Sequence, residues 1–160
     1  MEDIWNITAL VVSVLSVLLS LYALRQATTK NTSDMYLFFI SQYAKEDMKL
    51  ALRKLKDIKR GVYRLEQWES DMKNNLPKAF EYDEARRLVK YFYDTLAYMK
   101  LEKLIEARFV RLICLKKGAW LYLDTVEAME KFFDSGYDKK PYAVIRDVCE
   151  NLRKEGCCPS

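Results

Sequence analysis

The stretch EARRLVKYFYDTLAYMKLEKL, residues 84–104, decides how the rest of the chain is read. Its apolar residues Ala85, Leu88, Val89, Phe92, Leu96 and Met99 recur on the three-to-four spacing of one helix face. Asp83, just before it, is a residue type suited to cap such a helix. A turn is expected over 101–104, leading to a second helical pattern, IEARFVRLICLKKG, that stops at Gly118. AWLYLDTVEAMEKFF then supplies Trp120, Leu123, Val126, Met129 and Phe133 and ends at Ser135 and Gly136. Pro141, a favoured first helical residue, opens a last helix with Val144, Ile145, Val148, Cys149 and Leu152, which ends at Gly156.

The same spacing extends upstream. Met48, Ala51, Leu52, Leu55 and Ile58 line one face of a helix whose other faces are charged, and Gly61 marks its end. Val62, Leu65, Trp68 and Met72 suit another helix, closed by Asn74, Asn75 and Pro77. Ser33 or Asp34 is placed to cap a helix starting at Met35, and the apolar MYLFFISQY that follows is too short to span a bilayer. No stretch alternates convincingly with a period of two. The expectation is an all-α protein with a bundle of five to seven helices. Four glycines and three prolines in 160 residues disfavour turn-rich all-β folds and Gly-rich phosphate loops alike.

From Ile4 to Leu24 there is no charged residue. As a helix rising about 1.5 Å per residue, this segment reaches roughly 30 Å, enough to cross a hydrocarbon core. A cleaved signal peptide fits less well, because the chain opens with Glu2 and Asp3 rather than basic residues. Arg25, Lys30 and most other cations lie after the span, which orients the short tail outside and the body in the cytoplasm of an inner-membrane protein. The expected organisation is an anchor over 1–30, a cytosolic helical domain over 31–156 and a flexible tail over 157–160. Within the span, Ala9, Ser13, Ser16, Ser20, Ala23 and Ala27 follow one another at spacings of 4, 3, 4, 3 and 4, and Asn6 lies on the same stripe. Small residues let membrane helices approach closely, so this stripe is a candidate helix-packing interface.

Four further features bear on function. The first is the basic run of Lys45, Lys49, Arg53, Lys54, Lys56, Lys59, Arg60 and Arg64, set against only Glu46, Asp47 and Asp57. It reads either as a patch for anionic lipid or as a solvated helix face; interleaved acids argue against nucleic acid. The second is cysteine usage. Cys114 and Cys149 fall on apolar faces, whereas Cys157 and Cys158 lie in the tail EGCCPS, where lipidation or redox contact is open to them. The third is the aromatic set Tyr91, Phe92, Tyr93, Tyr98, Trp120 and Tyr122, read as core in preference to a ligand pocket. The fourth is the absence of histidine, which removes Ser-His-Asp and Cys-His chemistry and imidazole metal ligands. No catalytic residue, metal set or cofactor is implied.

The order of features in ARRLVKYFYDTLAYMKLEKLIEARFVRLICLKKGAWLYLDTVEAMEKF resembles a group of small prokaryotic proteins of unknown function with an N-terminal membrane helix and a cytosolic helical domain. This chain has no glycine at the turn near Lys103, where that pattern calls for one. The resemblance implies an anchored, helical protein and transfers no site residue. The functional expectation is a non-enzymatic accessory or scaffold subunit that docks on a larger membrane protein complex through its anchor. The alternative is a self-associating membrane-tethered sensor or defence effector, in which the stripe makes a homo-oligomer.

Overall fold

The computed structural model describes residues 16, 18–23, 26, 33–133 and 137–157, and divides the chain into two compact units, Met1–Leu37 and Phe38–Ser160. In the first unit, residues 16, 18–23 and 26 are helical and exposed. The Ser20 hydroxyl donates to the carbonyl of Ser16 at 2.8 Å, bonding back along its own helix. Most of the expected span, with Asn6, Ala9, Ser13 and Ala27 of the stripe, lies outside the described residues. Among the described residues no helix is long and apolar enough to cross a membrane.

The described residues are helical apart from short turns, with no strand among them. Helix α1 covers 33–44, so Ser33 and Asp34 are already helical rather than preceding a start at Met35. It is followed by α2 (Glu46–Lys59), α3 (Leu65–Lys73) and α4 (Pro77–Leu101). Then come α5 (Ala107–Cys114), α6 (Lys117–Leu121), a π-helical segment (Tyr122–Val126), α7 (Glu127–Phe133) and α8 (Lys139–Lys154). The long α4 is the centre, packed against α2, α3, α5, α8 and the π segment.

Helix α4 starts about two turns earlier than Asp83 suggests. Pro77 occupies its first turn, where a missing N–H costs nothing. Asp83 is therefore interior and buried, and its carboxylate pairs with Arg86 Nε and Arg87 Nη2, each at 2.7 Å. Arg86 also pairs with Glu130 on α7, so the apparent cap belongs to a buried ion network joining two helices. Gly118, expected to end a helix, is instead inside α6, because α5 already breaks at Leu115 and Lys116. At α8 the cap is Asp138, which accepts from the Lys140 N–H at 2.9 Å, and Pro141 sits inside the first turn rather than at its first position. The expected end at Ser135 and Gly136 lies outside the described residues.

Four helices end in the same way. After α2, α3, α4 and α8 the chain turns through Gly61, Asn75, Lys103 and Gly156, all at positive φ between 55° and 75°. In each case two backbone N–H groups return to the last turn, as Lys103 N does to the carbonyl of Lys100 (3.1 Å) and Leu104 N to that of Met99 (2.9 Å). Glycine and asparagine tolerate this conformation, whereas lysine bears a Cβ penalty there.

The core combines aliphatic side chains with a run of rings. Tyr93, Tyr122 and Tyr142 stack in sequence, with centroids 5.1 and 4.5 Å apart. Phe92 meets Tyr93 at 5.0 Å and receives Phe39 and Tyr43 of α1 at 5.5 and 5.9 Å. Trp68 of α3, fully buried, donates its indole N–H to the carbonyl of Ala79 at 3.2 Å. Cys114 and Cys149 are both fully buried between α5 and α8.

Candidate functional site

Helix α2 sorts its residues by spacing. Met48, Ala51, Leu55 and Ile58 are buried against the bundle. Lys49, Arg53, Lys56 and Arg60, at intervals of 4, 3 and 4, form an exposed cationic ridge along another face. Neighbouring like charges at this spacing cost roughly 0.2–0.5 kcal/mol per pair, or about 1 kcal/mol over the ridge. A bound anion would offset that self-repulsion.

The ridge forms one wall of a cleft of ≈ 790 Å³. Lys59 and Leu52 of α2 complete that wall, and Lys117, Gly118, Trp120 and Leu121 of α6 supply another. Tyr43 of α1 and Arg153 of α8 complete the lining. The lining thus holds seven cations and no carboxylate. Two of the cations have carboxylate partners just outside: Lys49 meets Glu46 at 3.4 Å and Lys59 meets Asp124 at 2.5 Å. Arg53, Lys56, Arg60 and Arg153 make no ion pair among the described residues.

Where Tyr43 and Gly118 line the cleft, backbone and rings approach closely. The Gly118 N–H donates to the Tyr43 hydroxyl at 3.2 Å. A Cβ at this position would stand 2.7 Å from the Tyr93 hydroxyl oxygen and 2.9 Å from that of Tyr43, so any other residue forces a ring to shift. Burial raises the pKa of Tyr43, and the hydrogen bond from Gly118 offsets part of that rise, so its hydroxyl stays protonated at neutral pH. Trp120 is half-buried, forms no ring pair among the described residues, and its indole N–H has no protein acceptor there.

Of the basic run, Lys49, Arg53, Lys56, Lys59 and Arg60 come together in the cleft. Lys54 turns away to Glu81 at 2.9 Å, Lys45 lines a smaller hollow with Phe38, Met48 and Tyr91, and Arg64 borders neither. Lys117 and Arg153 join from distant parts of the sequence and carry no local signal beyond the pair Lys116-Lys117 before Gly118. Leu52 and Trp120, assigned by periodicity to the core, line the cleft instead.

The aromatic set divides. Phe92, Tyr93 and Tyr122 are core, whereas Tyr91 and Tyr98 are exposed, at 75% and 42%. Tyr98 donates to Asp138 at 2.5 Å, and Tyr122 donates to Asp94 at the same distance. Between the buried thiols, Cys114 is raised, first by its hydrogen bond with Cys149 and then by burial, while that same bond lowers Cys149. Cys157 is exposed; Cys158 lies outside the described residues. Among the described residues no three acidic or cysteine side chains converge into a metal-ligand set. Compared with known protein families, with curated proteins and with solved structures, the chain finds no match.

Proposed function

We propose that this chain is a non-enzymatic, single-pass membrane accessory subunit whose helical domain engages an anionic partner group on the cytoplasmic side through the α2 cleft. The observation that supports this is the set of seven cations around one concavity with no carboxylate in its walls. A concave, one-signed lining over a low-dielectric core focuses potential and draws anions in. The uncharged run from Ile4 to Leu24 supplies the anchor, and the excess of cations after it sets the orientation. In this reading the small-residue stripe from Ala9 to Ala27 docks against a helix of the larger complex.

Three measurements on the full chain test these parts separately. Anchoring requires that the protein stay with membranes after alkaline extraction; release into the soluble fraction removes the anchor from the proposal. Docking through the stripe requires that Ser13→Leu, Ser16→Leu and Ser20→Leu together abolish co-purification of membrane partners in mild detergent. Engagement through the cleft requires that Arg53→Glu with Lys56→Glu lose an anionic partner that the stripe variant does not affect. An unchanged set of partners in the charge-reversed protein rules out the cleft.

A further inference from the structure

We infer that the occupant of the cleft is a nucleotide, with its phosphates on the α2 ridge and its ring against Trp120. The inference rests on the reading of the cleft as an anion site and names what fills it. Size is the first argument: ≈ 790 Å³ lies within the range of small-molecule pockets. Shape is the second. Lys117 of α6 and Arg153 of α8 line the same concavity as the α2 ridge, so a ligand that enters it meets cations from three elements at once.

Charge chemistry narrows the class. The cations without a carboxylate partner among the described residues are Arg53, Lys56, Arg60 and Arg153, three of which carry guanidinium forks. Such forks bind phosphate oxygens in pairs, and a terminal phosphate brings about −1.5 to −2 charges at neutral pH. Four cations therefore match a chain of phosphates better than a single carboxylate. The lining also supplies what a phosphate does not need: a half-buried tryptophan with no ring partner and an indole N–H with no protein acceptor among the described residues. An indole face is a stacking platform for a nucleobase, tolerant of which base it meets. The Tyr43 hydroxyl, which accepts from Gly118, keeps its own proton for donation to a sugar or phosphate oxygen.

The experiment uses the full chain in nanodiscs of phosphatidylcholine. Binding of adenosine triphosphate, guanosine triphosphate and inorganic tripolyphosphate is measured by calorimetry, and the rate of amine-reactive labelling at Lys56 is followed alongside. Both nucleotides are expected to bind about tenfold more tightly than tripolyphosphate and to slow the labelling of Lys56. Lys56→Ala with Arg60→Ala should weaken all three ligands, whereas Trp120→Leu should weaken the nucleotides about tenfold and leave tripolyphosphate unchanged. Far-ultraviolet circular dichroism confirms that each variant keeps its helices. Equal affinity for tripolyphosphate and nucleotide, with no effect of Trp120→Leu, overturns the inference. So does Lys56 protection by phosphatidylglycerol in the disc without any by nucleotide, although that result leaves an anionic partner at the cleft. Protection by neither also overturns the nucleotide, and the co-purification of the Arg53→Glu, Lys56→Glu protein then decides whether the cleft holds an anionic partner at all.

Discussion

Replacing Tyr93 with phenylalanine removes one oxygen atom from the centre of the bundle and should make the fold more stable. The Tyr93 hydroxyl is fully buried and has no hydrogen-bond partner among the described residues. Burial accordingly holds its pKa well above the ordinary tyrosine range. Leaving such a group unsatisfied costs about 1–3 kcal/mol, and phenylalanine keeps the ring contacts with Phe92 and Tyr122. The same oxygen stands 2.7 Å from the place a Cβ on Gly118 would take. Gly118→Ala alone should therefore destabilise by about 1–3 kcal/mol, since Tyr93 has no room to retreat. In the Tyr93→Phe background most of that cost should vanish, leaving the 2.9 Å approach to the hydroxyl of Tyr43, a residue only half-buried and so better able to shift than Tyr93. Thermal unfolding of the four full-length proteins in mild detergent, followed by circular dichroism, reads the cycle. At this chain length 1 kcal/mol moves Tm by about 2–4 °C. The expected pattern is a rise for Tyr93→Phe, a fall for Gly118→Ala, and a coupling of at least about 1 kcal/mol between them. A Tyr93→Phe protein that melts several degrees below its parent refutes the reasoning, as does a Gly118→Ala penalty of equal size in both backgrounds.

Lys103 closes α4 at φ 56°, so Lys103→Gly should stabilise by roughly 0.5–1 kcal/mol, visible as a higher denaturation midpoint at unchanged slope. Arg86→Met leaves the buried carboxylates of Asp83 and Glu130 short of a partner and should destabilise by about 3–5 kcal/mol, while Arg87→Met, at an exposed site, should stay within about 0.5 kcal/mol in the same denaturant titration. Iodoacetamide under native conditions should modify Cys157 and spare Cys114 and Cys149, and mass spectrometry after a short pulse distinguishes them. Tyr137 is raised to about 12, and Tyr63, Tyr122 and Tyr142 are also held above the ordinary value, in each case first by burial. Their contribution to stability is complete below the unfolded tyrosine pKa of about 10 and is lost as pH rises through the folded values, so alkaline unfolding should begin above about pH 10. Loss of ellipticity at a lower pH would contradict this.

The apolar spacing of residues 84–104 and its counterparts was enough to establish helices, because periodicity is local and each helix carries its own buried face. On α2 the same local rule places Lys49, Arg53, Lys56 and Arg60 on one exposed ridge. The left-handed closing turn at Lys103 was not legible in the spacing: the resemblance implied a glycine there, the chain has lysine, and the backbone alone shows φ 56°. What followed from packing was not legible. Asp83 has the sequence signature of a cap, yet its carboxylate is consumed by Arg86 and Arg87 inside α4. Leu52 and Trp120 fall on apolar positions, yet they line a cleft where α2 and α6 come together. Lys117 and Arg153 join the α2 ridge only through the way α6 and α8 pack, and no spacing in one dimension encodes that meeting. The sequence by itself determined the helices and one charged edge; the packing of those helices in space turned the edge into a cleft that Trp120 also lines.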